Sequence, residues 1–139
     1  GYTMMYRETS ENAYLEQAVN VGDMILDYLP EDGVAYWDFN DPAIPDTYRD
    51  ASAAAVMASA FIELSTLVED RKHQKTYLSI AETIIRTLAS DEYLCAPGEC
   101  YGFLLKHCVG HLPNDSEVDV PLTYADYYFL EALLRYKNI

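Results

Sequence analysis

Residues 36–55 read Tyr36-Trp37-Asp38-Phe39-Asn40-Asp41-Pro42-Ala43-Ile44-Pro45-Asp46-Thr47-Tyr48-Arg49-Asp50-Ala51-Ser52-Ala53-Ala54-Ala55. The part up to Asp50 is rich in aromatic and acidic residues and is interrupted by two prolines. Loops of this length are usually functional or disordered, and the aromatic content argues against a flexible linker. Aromatic faces beside carboxylate acceptors are suited to holding a sugar. The stretch therefore predicts a sugar-binding loop that leads directly into an apolar helix.

Apolar periodicity predicts four complete helices and the end of an earlier one. The predicted helices span residues 11–29, 51–68, 73–89 and 122–136, and Gly1–Tyr6 is expected to be the tail of a helix. Apolar residues form one stripe on the first and third helices but surround the second and fourth, which predicts that the latter pair is buried. Ser10 and Asp50 are the expected N-caps, and Pro30 is expected to stop the first helix.

The connections between these helices predict their arrangement. Only residues 69–72 join the second and third helices, which should therefore be antiparallel neighbours. If all neighbours are antiparallel, the long segments 30–49 and 90–121 lie at one end, together with the N-termini of the second and fourth helices. Outer and inner helices in two alternating layers indicate an all-α, α/α toroid arrangement in one domain, 1–139. Tetratricopeptide-like solenoids need a period of about 34 residues, which is not present.

The charge limits the classes of partner. The formal net charge of −14 repels nucleic acid and anionic membrane surfaces. No apolar run is long enough to span a bilayer. The compartment stays open between cytoplasm and periplasm.

The cysteines allow two interpretations. Cys95, Cys100 and Cys108 together with His107 and His111 would be the ligands of a zinc site, but their spacing matches no common structural zinc pattern. The favoured prediction is free, partly buried thiols without a metal, and the odd number argues against a full disulfide framework.

Several motifs resemble the unsaturated glucuronyl hydrolases of glycoside hydrolase family 88. They are the segments 29–39 (Leu-Pro-Glu-Asp-Gly-Val-Ala-Tyr-Trp-Asp-Phe), 46–55, 110–111, 116–122 and 124–133. The resemblance covers essentially the whole chain. The unsaturated rhamnogalacturonyl hydrolases share that fold but usually carry Glu-Thr-Ser at the counterpart of the turn at 49–52, and they rank second. A non-catalytic helical scaffold is the alternative from another functional class.

The resemblance implies a six-hairpin (α/α)6 toroid, of which about five helices belong to this chain, roughly the C-terminal third. It implies a short oligosaccharide substrate with a C4=C5 unsaturated uronate at its non-reducing end, and no metal or cofactor. An aspartic acid protonates the double bond, and a water that it positions adds at C5. The family's catalytic aspartate lies upstream of the position that resembles Gly1, so no catalytic residue is expected here and the chain alone is expected to be inactive.

Five residues are predicted to contact the substrate: Tyr101, Trp37, Arg49, His107 and His111. Tyr101, between Gly98 and Gly102, is the leading candidate, since its place resembles that of an aromatic on the leaving-group side in the family. Trp37 either shapes the cleft or, as favoured, anchors its loop. Arg49 either binds an anionic sugar or pairs with Asp46 or Asp38, and the histidines are either ligands or structural. Exposed faces of the apolar helices would also favour self-association.

Overall fold

The computed structural model describes residues Gly1–Ile139 and contains five α-helices and two small β-hairpins. The helices are α1 (Tyr2–Thr9), α2 (Asn12–Tyr28), α3 (Ala51–Leu67), α4 (Arg71–Leu88) and α5 (Thr123–Lys137). The strands β1 (Ala35–Tyr36) and β2 (Arg49–Asp50) pair antiparallel, as do β3 (Cys108–His111) and β4 (Ser116–Val120). The predicted helices are confirmed with small shifts at their ends. The hairpins were not anticipated, because their short strands lie inside the two long loops.

The helix ends confirm two of the three predicted signals. The side chain of Asp50 caps α3 by accepting from the N–H of Ser52 at 2.9 Å, and α2 ends at Tyr28, just before Pro30. The prediction that Ser10 caps α2 is wrong. Ser10 instead ends α1 in a left-handed conformation with φ 60°, and its N–H donates to the carbonyl of Tyr6. A serine between two closely spaced helices can serve either end, and here the first helix uses it.

Helix α3 lies at the centre of the fold. It is antiparallel to α4, to which residues 68–70 connect it. It runs parallel to α5, because Ser59 of α3 meets Glu131 and Arg135 of α5 while the N-terminal ends of both helices border the same cleft. Helices α2 and α4 form a second layer, joined by a hydrogen bond of 2.7 Å from the Tyr77 hydroxyl to Asp23. The two predicted layers are thus present.

One face of α5 contradicts the prediction that this helix is buried. Only Ala125, Phe129 and Ala132 are buried. Tyr127, Leu130 and Leu134, which follow i, i+3, i+7 spacing on the opposite face, are 60%, 54% and 61% exposed. The apolar composition all round the helix is real, but no element of the chain packs against this side.

A partly buried cluster of charged side chains connects α1, α3 and α5. The carboxylate of Glu63, on α3, accepts from Arg7 of α1 at 2.5 Å and from Arg135 of α5 at 3.0 Å. Arg135 also donates to the carbonyl of Ser59 at 2.8 Å. The Glu63 side chain is only 13% exposed, so water screens these contacts less than it would on an open surface.

The two long loops meet at the N-termini of α3 and α5, as predicted. The N–H of Ala51 donates to the carbonyl of His107 at 3.0 Å, which joins the start of α3 to the second loop. The Asp126 carboxylate, in the first turn of α5, accepts from the N–H groups of Leu104 and Leu105 at 2.9 and 3.0 Å. One end of the molecule therefore holds both loops and two helix N-termini.

The prediction of free thiols is wrong for two of the three cysteines. Cys95 and Cys100 form a disulfide, whereas Cys108 is free and buried. The second long loop folds back on itself, with the N–H of Cys95 donating to the carbonyl of Leu104 at 2.8 Å, and this return brings the two cysteines together. No helix is both long and apolar enough to cross a membrane.

Candidate functional site

A cleft of about 650 Å³ opens at the N-terminal ends of α3 and α5. Its volume lies in the range of small-molecule sites. It is lined by Ala35, Tyr36, Trp37, Asp38, Phe39, Asn40, Asp50, Ser52, Ala53, Val56, Met57 and Tyr124. A second cavity of about 150 Å³, between α1, α2 and α3, is lined almost entirely by apolar groups and has few polar groups that could bind a ligand or take part in a reaction. The larger cleft is therefore the candidate site.

Trp37 lines the cleft and also fastens its own loop. Its indole N–H donates to the Asp41 carboxylate at 2.5 Å and to the Thr47 hydroxyl at 3.2 Å. Its backbone N–H donates to the carbonyl of Tyr48 at 3.0 Å. The predicted alternatives, cleft wall and loop anchor, are thus both compatible with its position, because the edge of the ring binds the loop while the residue borders the cleft.

The Asp41 carboxylate organises the loop between β1 and β2. It accepts from the Thr47 hydroxyl at 2.6 Å, from the N–H of Ala43 at 2.9 Å and from Trp37. These hydrogen bonds, led by that of Thr47, stabilise the charged form and lower the pKa of Asp41 below its usual value. The charge therefore helps to hold the loop in shape.

Asp50 joins the cleft wall to the second loop. A single oxygen, Oδ1, accepts from the N–H of Ser52 at 2.9 Å, from the Ser52 hydroxyl at 2.6 Å and from the N–H of Val109 at 3.1 Å. The residue is buried. These contacts assign Asp50 a structural part, as the sequence suggested.

The buried thiol of Cys108, near Asp50, has low reactivity. Burial, with the nearby Asp50 charge as a smaller cause, raises the pKa of the Cys108 thiol to about 12. A thiol with such a pKa is neutral at physiological pH and is a poor nucleophile. Cys108 is therefore part of the packing behind the site.

The open part of the cleft combines exposed polar groups with aromatic rings. Asp38 and Asn40 are exposed, and the Asp38 carboxylate accepts only from the backbone N–H of Asn40, at 2.8 Å. Tyr124, at the start of α5, faces them across the N-terminus of α3 and is partly exposed. No lysine or arginine lines the cleft. This wall can accept hydrogen bonds from hydroxyls and offer rings for stacking, but it has no cationic side chain for a carboxylate.

Arg49 is engaged within the protein. Its guanidinium donates to the carbonyl of Val34, forms an ion pair with Asp32 and lies over the Tyr36 ring at 4.8 Å. The predicted pairing with Asp46 or Asp38 is thus wrong, since Asp32 is the partner. Arg49 does not line the cleft.

Tyr101 is fully exposed on the disulfide-closed loop and lies outside the cleft lining. It has φ 53°, next to Cys100 with φ 51° and Gly102 with φ 93°. Three consecutive residues thus have left-handed backbones, an uncommon conformation for residues other than glycine. The position leaves its ring free for an external contact, but the predicted role stays a prediction.

The two histidines lie apart from the cleft lining, on the second loop. His107 pairs with Asp119 through Nδ1 at 2.5 Å, and its ring packs perpendicular to that of Tyr93. His111, in β3, is exposed and stands opposite Ser116 in the hairpin. Of the five predicted residues, the structure brings only Trp37 into the cleft.

Tyr36, Phe39 and Asn40 also line the cleft and belong to the loop that the sequence predicts to bind a sugar, whereas Ser52, Met57 and Tyr124, on the two helices, are not among the predicted contacts. In the sequence, Tyr124 fits the apolar pattern of the fourth predicted helix. Its position at the start of α5, together with the parallel packing of α3 and α5, places it beside the loop at Trp37. The spacing of aromatics at a helix N-terminus would have been the usable signal.

Comparisons with known proteins give consistent results. No family profile matches the chain. The unsaturated glucuronyl hydrolase of Formosa agariphila is 47% identical over the whole chain, and an unsaturated chondroitin disaccharide hydrolase of Streptococcus pyogenes is 32% identical over 98% of it. A crystal structure of an unsaturated glucuronyl hydrolase specific for heparin superposes with a TM-score of 0.93 and 49% identity over 99% of the chain.

These relatives are much longer than the chain. It spans 34% of the Formosa agariphila and Streptococcus pyogenes proteins and 38% of the crystal structure. Its five helices match a portion of the (α/α)6 toroid, which confirms the predicted fold class. Over its full length, the chain is a homologue of the unsaturated glucuronyl hydrolases and corresponds to about a third of one.

Proposed function

We propose that the chain forms part of a glycosidase that removes a C4=C5 unsaturated uronate from the non-reducing end of oligosaccharides made by polysaccharide lyases. In this reaction a carboxylic acid delivers a proton to C4, and water adds its hydroxyl group to C5 while returning a proton to the carboxylate. The resulting hemiketal opens to a ketone at C5, and the hemiacetal that this leaves at C1 breaks down to an aldehyde and releases the next sugar as a free alcohol. One water is consumed, and no cofactor is required.

The observation that carries this proposal is identity close to one half along the entire chain, to relatives that bear this name. The match covers the whole chain, so it includes the segments that build the cleft as well as the helices. A scaffold that used only the helices would have no need of a cleft with this composition. The cleft's volume, about 650 Å³, also suits a mono- or disaccharide.

The composition of the cleft supports an assignment of the neutral part of the substrate to this chain and of the uronate to the unmatched part of the hydrolase. Its wall offers Trp37 and Tyr124 as aromatic surfaces and Asp38 as an acceptor for hydroxyl groups. An anionic uronate needs cationic or N–H donors, and apart from the N-terminus of α3 this wall has none. We therefore assign the neutral part of the substrate to this chain. The catalytic aspartate and the donors for the uronate would come from the part of the hydrolase that the chain does not match.

The test is the ultraviolet absorbance of an unsaturated chondroitin or heparin disaccharide, which falls as the double bond is hydrated. The chain alone should leave the absorbance unchanged. A chimera, in which this chain replaces the matched third of the Formosa agariphila relative, should consume the substrate. A folded chimera without activity on any unsaturated disaccharide would contradict the proposal. Activity of the chain alone would place the acid within it, and Asp38, Asp46 and Asp50 would then be replaced by Asn in turn.

The predicted contacts of Tyr101, His107 and His111 are tested in the same chimera. Tyr101→Ala should lower kcat/KM by roughly fivefold, since an aromatic stacking contact contributes about 1 kcal/mol. Tyr101→Phe keeps the ring and should retain activity. The variants His107→Gln and His111→Gln distinguish a substrate contact from a structural role. Loss of a substrate contact should change KM more than kcat, whereas loss of a structural contact should not show this preference. Equal activity of the Ala and Phe variants would remove Tyr101 from the site.

A further inference from the structure

Arg49 lies behind the wall of the cleft and contacts one of the aromatic residues of that wall. Its guanidinium carbon is 4.8 Å from the centroid of the Tyr36 ring, and Tyr36 lines the cleft whereas Arg49 does not. The two residues stand opposite each other in the hairpin of β1 and β2. A guanidinium over a tyrosine ring attracts it, more strongly where water is partly excluded, and the Arg49 side chain is only 24% exposed. The position of the ring therefore depends on that of the guanidinium.

The guanidinium is itself held by the turn before β1. Its Nε donates to the carbonyl of Val34 at 3.0 Å, and its Nη2 donates to the same carbonyl and to the Asp32 carboxylate. That carboxylate also accepts from the N–H of Val34 at 3.0 Å, and the backbone carbonyl of Asp32 accepts from the Thr87 hydroxyl of α4 at 2.7 Å. Val34 is completely buried. Arg49 is thus anchored to this turn and, through the turn, to α4.

The neighbouring aromatic residue of the cleft is held in a similar way. The indole N–H of Trp37 donates to the carboxylate of Asp41, just as the ring of Tyr36 contacts the guanidinium of Arg49. Neither charged side chain lines the cleft. An aromatic ring that is already held in place loses less conformational entropy when a ligand binds, so such support raises affinity.

We propose that Arg49 is a positioning residue, which sets the affinity of the cleft for the neutral sugar of the substrate by holding the ring of Tyr36. This inference rests on the proposed function, which assigns that sugar to this wall. It replaces the direct substrate contact predicted from the sequence, because the guanidinium is already bound within the protein. Since Arg49 touches no reacting atom, its loss should weaken substrate binding and leave the chemical step unchanged.

The first measurement is the steady-state kinetics of the chimera with an unsaturated chondroitin or heparin disaccharide. Arg49→Gln should raise KM by about fivefold with kcat unchanged, a ratio that corresponds to about 1 kcal/mol of lost binding. Tyr36→Leu should have a similar effect, whereas Tyr36→Phe, which keeps the ring, should have little. Arg49→Lys keeps the charge but lacks the planar group that reaches the ring and the turn together, so its KM should be intermediate.

The double variant Arg49→Gln/Tyr36→Leu separates positioning from an independent role of Arg49. If Arg49 acts through the ring, the double variant should have the KM of Tyr36→Leu alone, because the ring that Arg49 positions is absent. Independent roles would multiply the two increases to about 25-fold. Such a multiplied increase would overturn the proposal, as would a KM that Tyr36→Leu leaves unchanged.

Arg135→Gln is the matched control for a purely structural role. The Arg135 side chain is 26% exposed, close to the value for Arg49, and it also binds a carboxylate and a backbone carbonyl, those of Glu63 and Ser59. It does not line the cleft. Both variants should lower the unfolding midpoint, but only Arg49→Gln should raise KM. An equal rise of KM in the control would overturn the proposal, since general loosening of the fold would then be responsible.

A second readout does not depend on activity. In NMR spectra of the isolated chain with isotope-labelled tyrosine, the ring signals of Tyr36 should move toward those of a free tyrosine in Arg49→Gln and should stay in place in Arg135→Gln. Unchanged signals in Arg49→Gln would overturn the proposal, whether or not the chimera is active. Displaced signals together with a folded but inactive chimera would support the hold of Arg49 on the ring and contradict the proposed function alone.

Discussion

The carboxylate of Asp50 accepts a hydrogen bond at 3.1 Å from the backbone N–H of Val109, which lies 59 positions further along the chain. The same oxygen caps α3 through Ser52. One buried acceptor therefore starts the central helix and fixes the second long loop against it. The cleft lies directly beside this junction, so its shape depends on Asp50.

Asp50→Ala should destabilise the chain by about 2–3 kcal/mol, since it removes a helix cap and leaves the N–H of Val109 without a partner in a buried place. Urea unfolding followed by circular dichroism measures the change. Asp46→Ala is the control, because Asp46 is exposed and its side chain makes no hydrogen bond; its effect should stay within about 0.5 kcal/mol. Equal losses for both variants would refute the role of Asp50.

The loop around Trp37 should loosen in acid. The folded pKa of Asp41 is lowered, so its stabilising charge is present above the unfolded value and is lost as pH falls through the folded one. Trp37 is the only tryptophan, and its fluorescence should therefore change below about pH 4. Asp41→Asn should remove this transition, whereas Asp46→Asn should keep it. An unchanged titration in Asp41→Asn would show that another group is responsible.

The thiol of Cys108 should be unreactive in the folded protein. With a pKa of about 12, it is ionised on the order of one part in ten thousand at pH 8. Ellman's reagent, without reductant, should detect no thiol in the native chain and one in guanidinium, and Cys108→Ser should abolish the latter. A thiol that reacts in the native chain would mean that Cys108 is accessible or that the disulfide is open.

Gly33 should tolerate substitution less well than Gly98. Both have left-handed backbones, with φ 78° and 93°. An added Cβ at Gly33 would meet the side chain of Ile84, whereas the space around Gly98 is open. Gly98→Ala should destabilise by about 1 kcal/mol and Gly33→Ala by about 3 kcal/mol. Thermal or urea unfolding of the two variants provides the difference, and equal values would argue that Ile84 moves aside freely.

The sequence predicted the helices well because their apolar patterns are long and periodic. It also predicted that both long loops meet at the start of α3, since loop length alone constrains the direction of the helices. The first hairpin was not predicted because β1 and β2 are only two residues each and pair across a long loop, so neither carries an alternating pattern.

The site was predicted less completely than the fold. Trp37 was found through its surroundings in the sequence, but Tyr124 was assigned to the core, because an aromatic at the start of a helix has the same apolar signature whether it packs inward or borders a cleft. The sequence pairs Arg49 with acids close to it in the chain, whereas its partner Asp32 lies in the turn before β1, 17 positions away. The Cys95–Cys100 disulfide forms where the loop folds back so that Cys95 pairs with Leu104. The spacing of the cysteines in the sequence does not predict this fold.

The position of Glu63 between Arg7 and Arg135 has a consequence for how the chain opens. Helix α1 has only eight residues and would fray by itself in water. The carboxylate of Glu63 binds α1 through Arg7 and the last turns of α5 through Arg135. If either arginine is released, the Glu63 charge keeps only the other arginine as its partner. The first and last helices should therefore exchange their amide hydrogens as one cooperative unit, although they are the two most distant parts of the sequence.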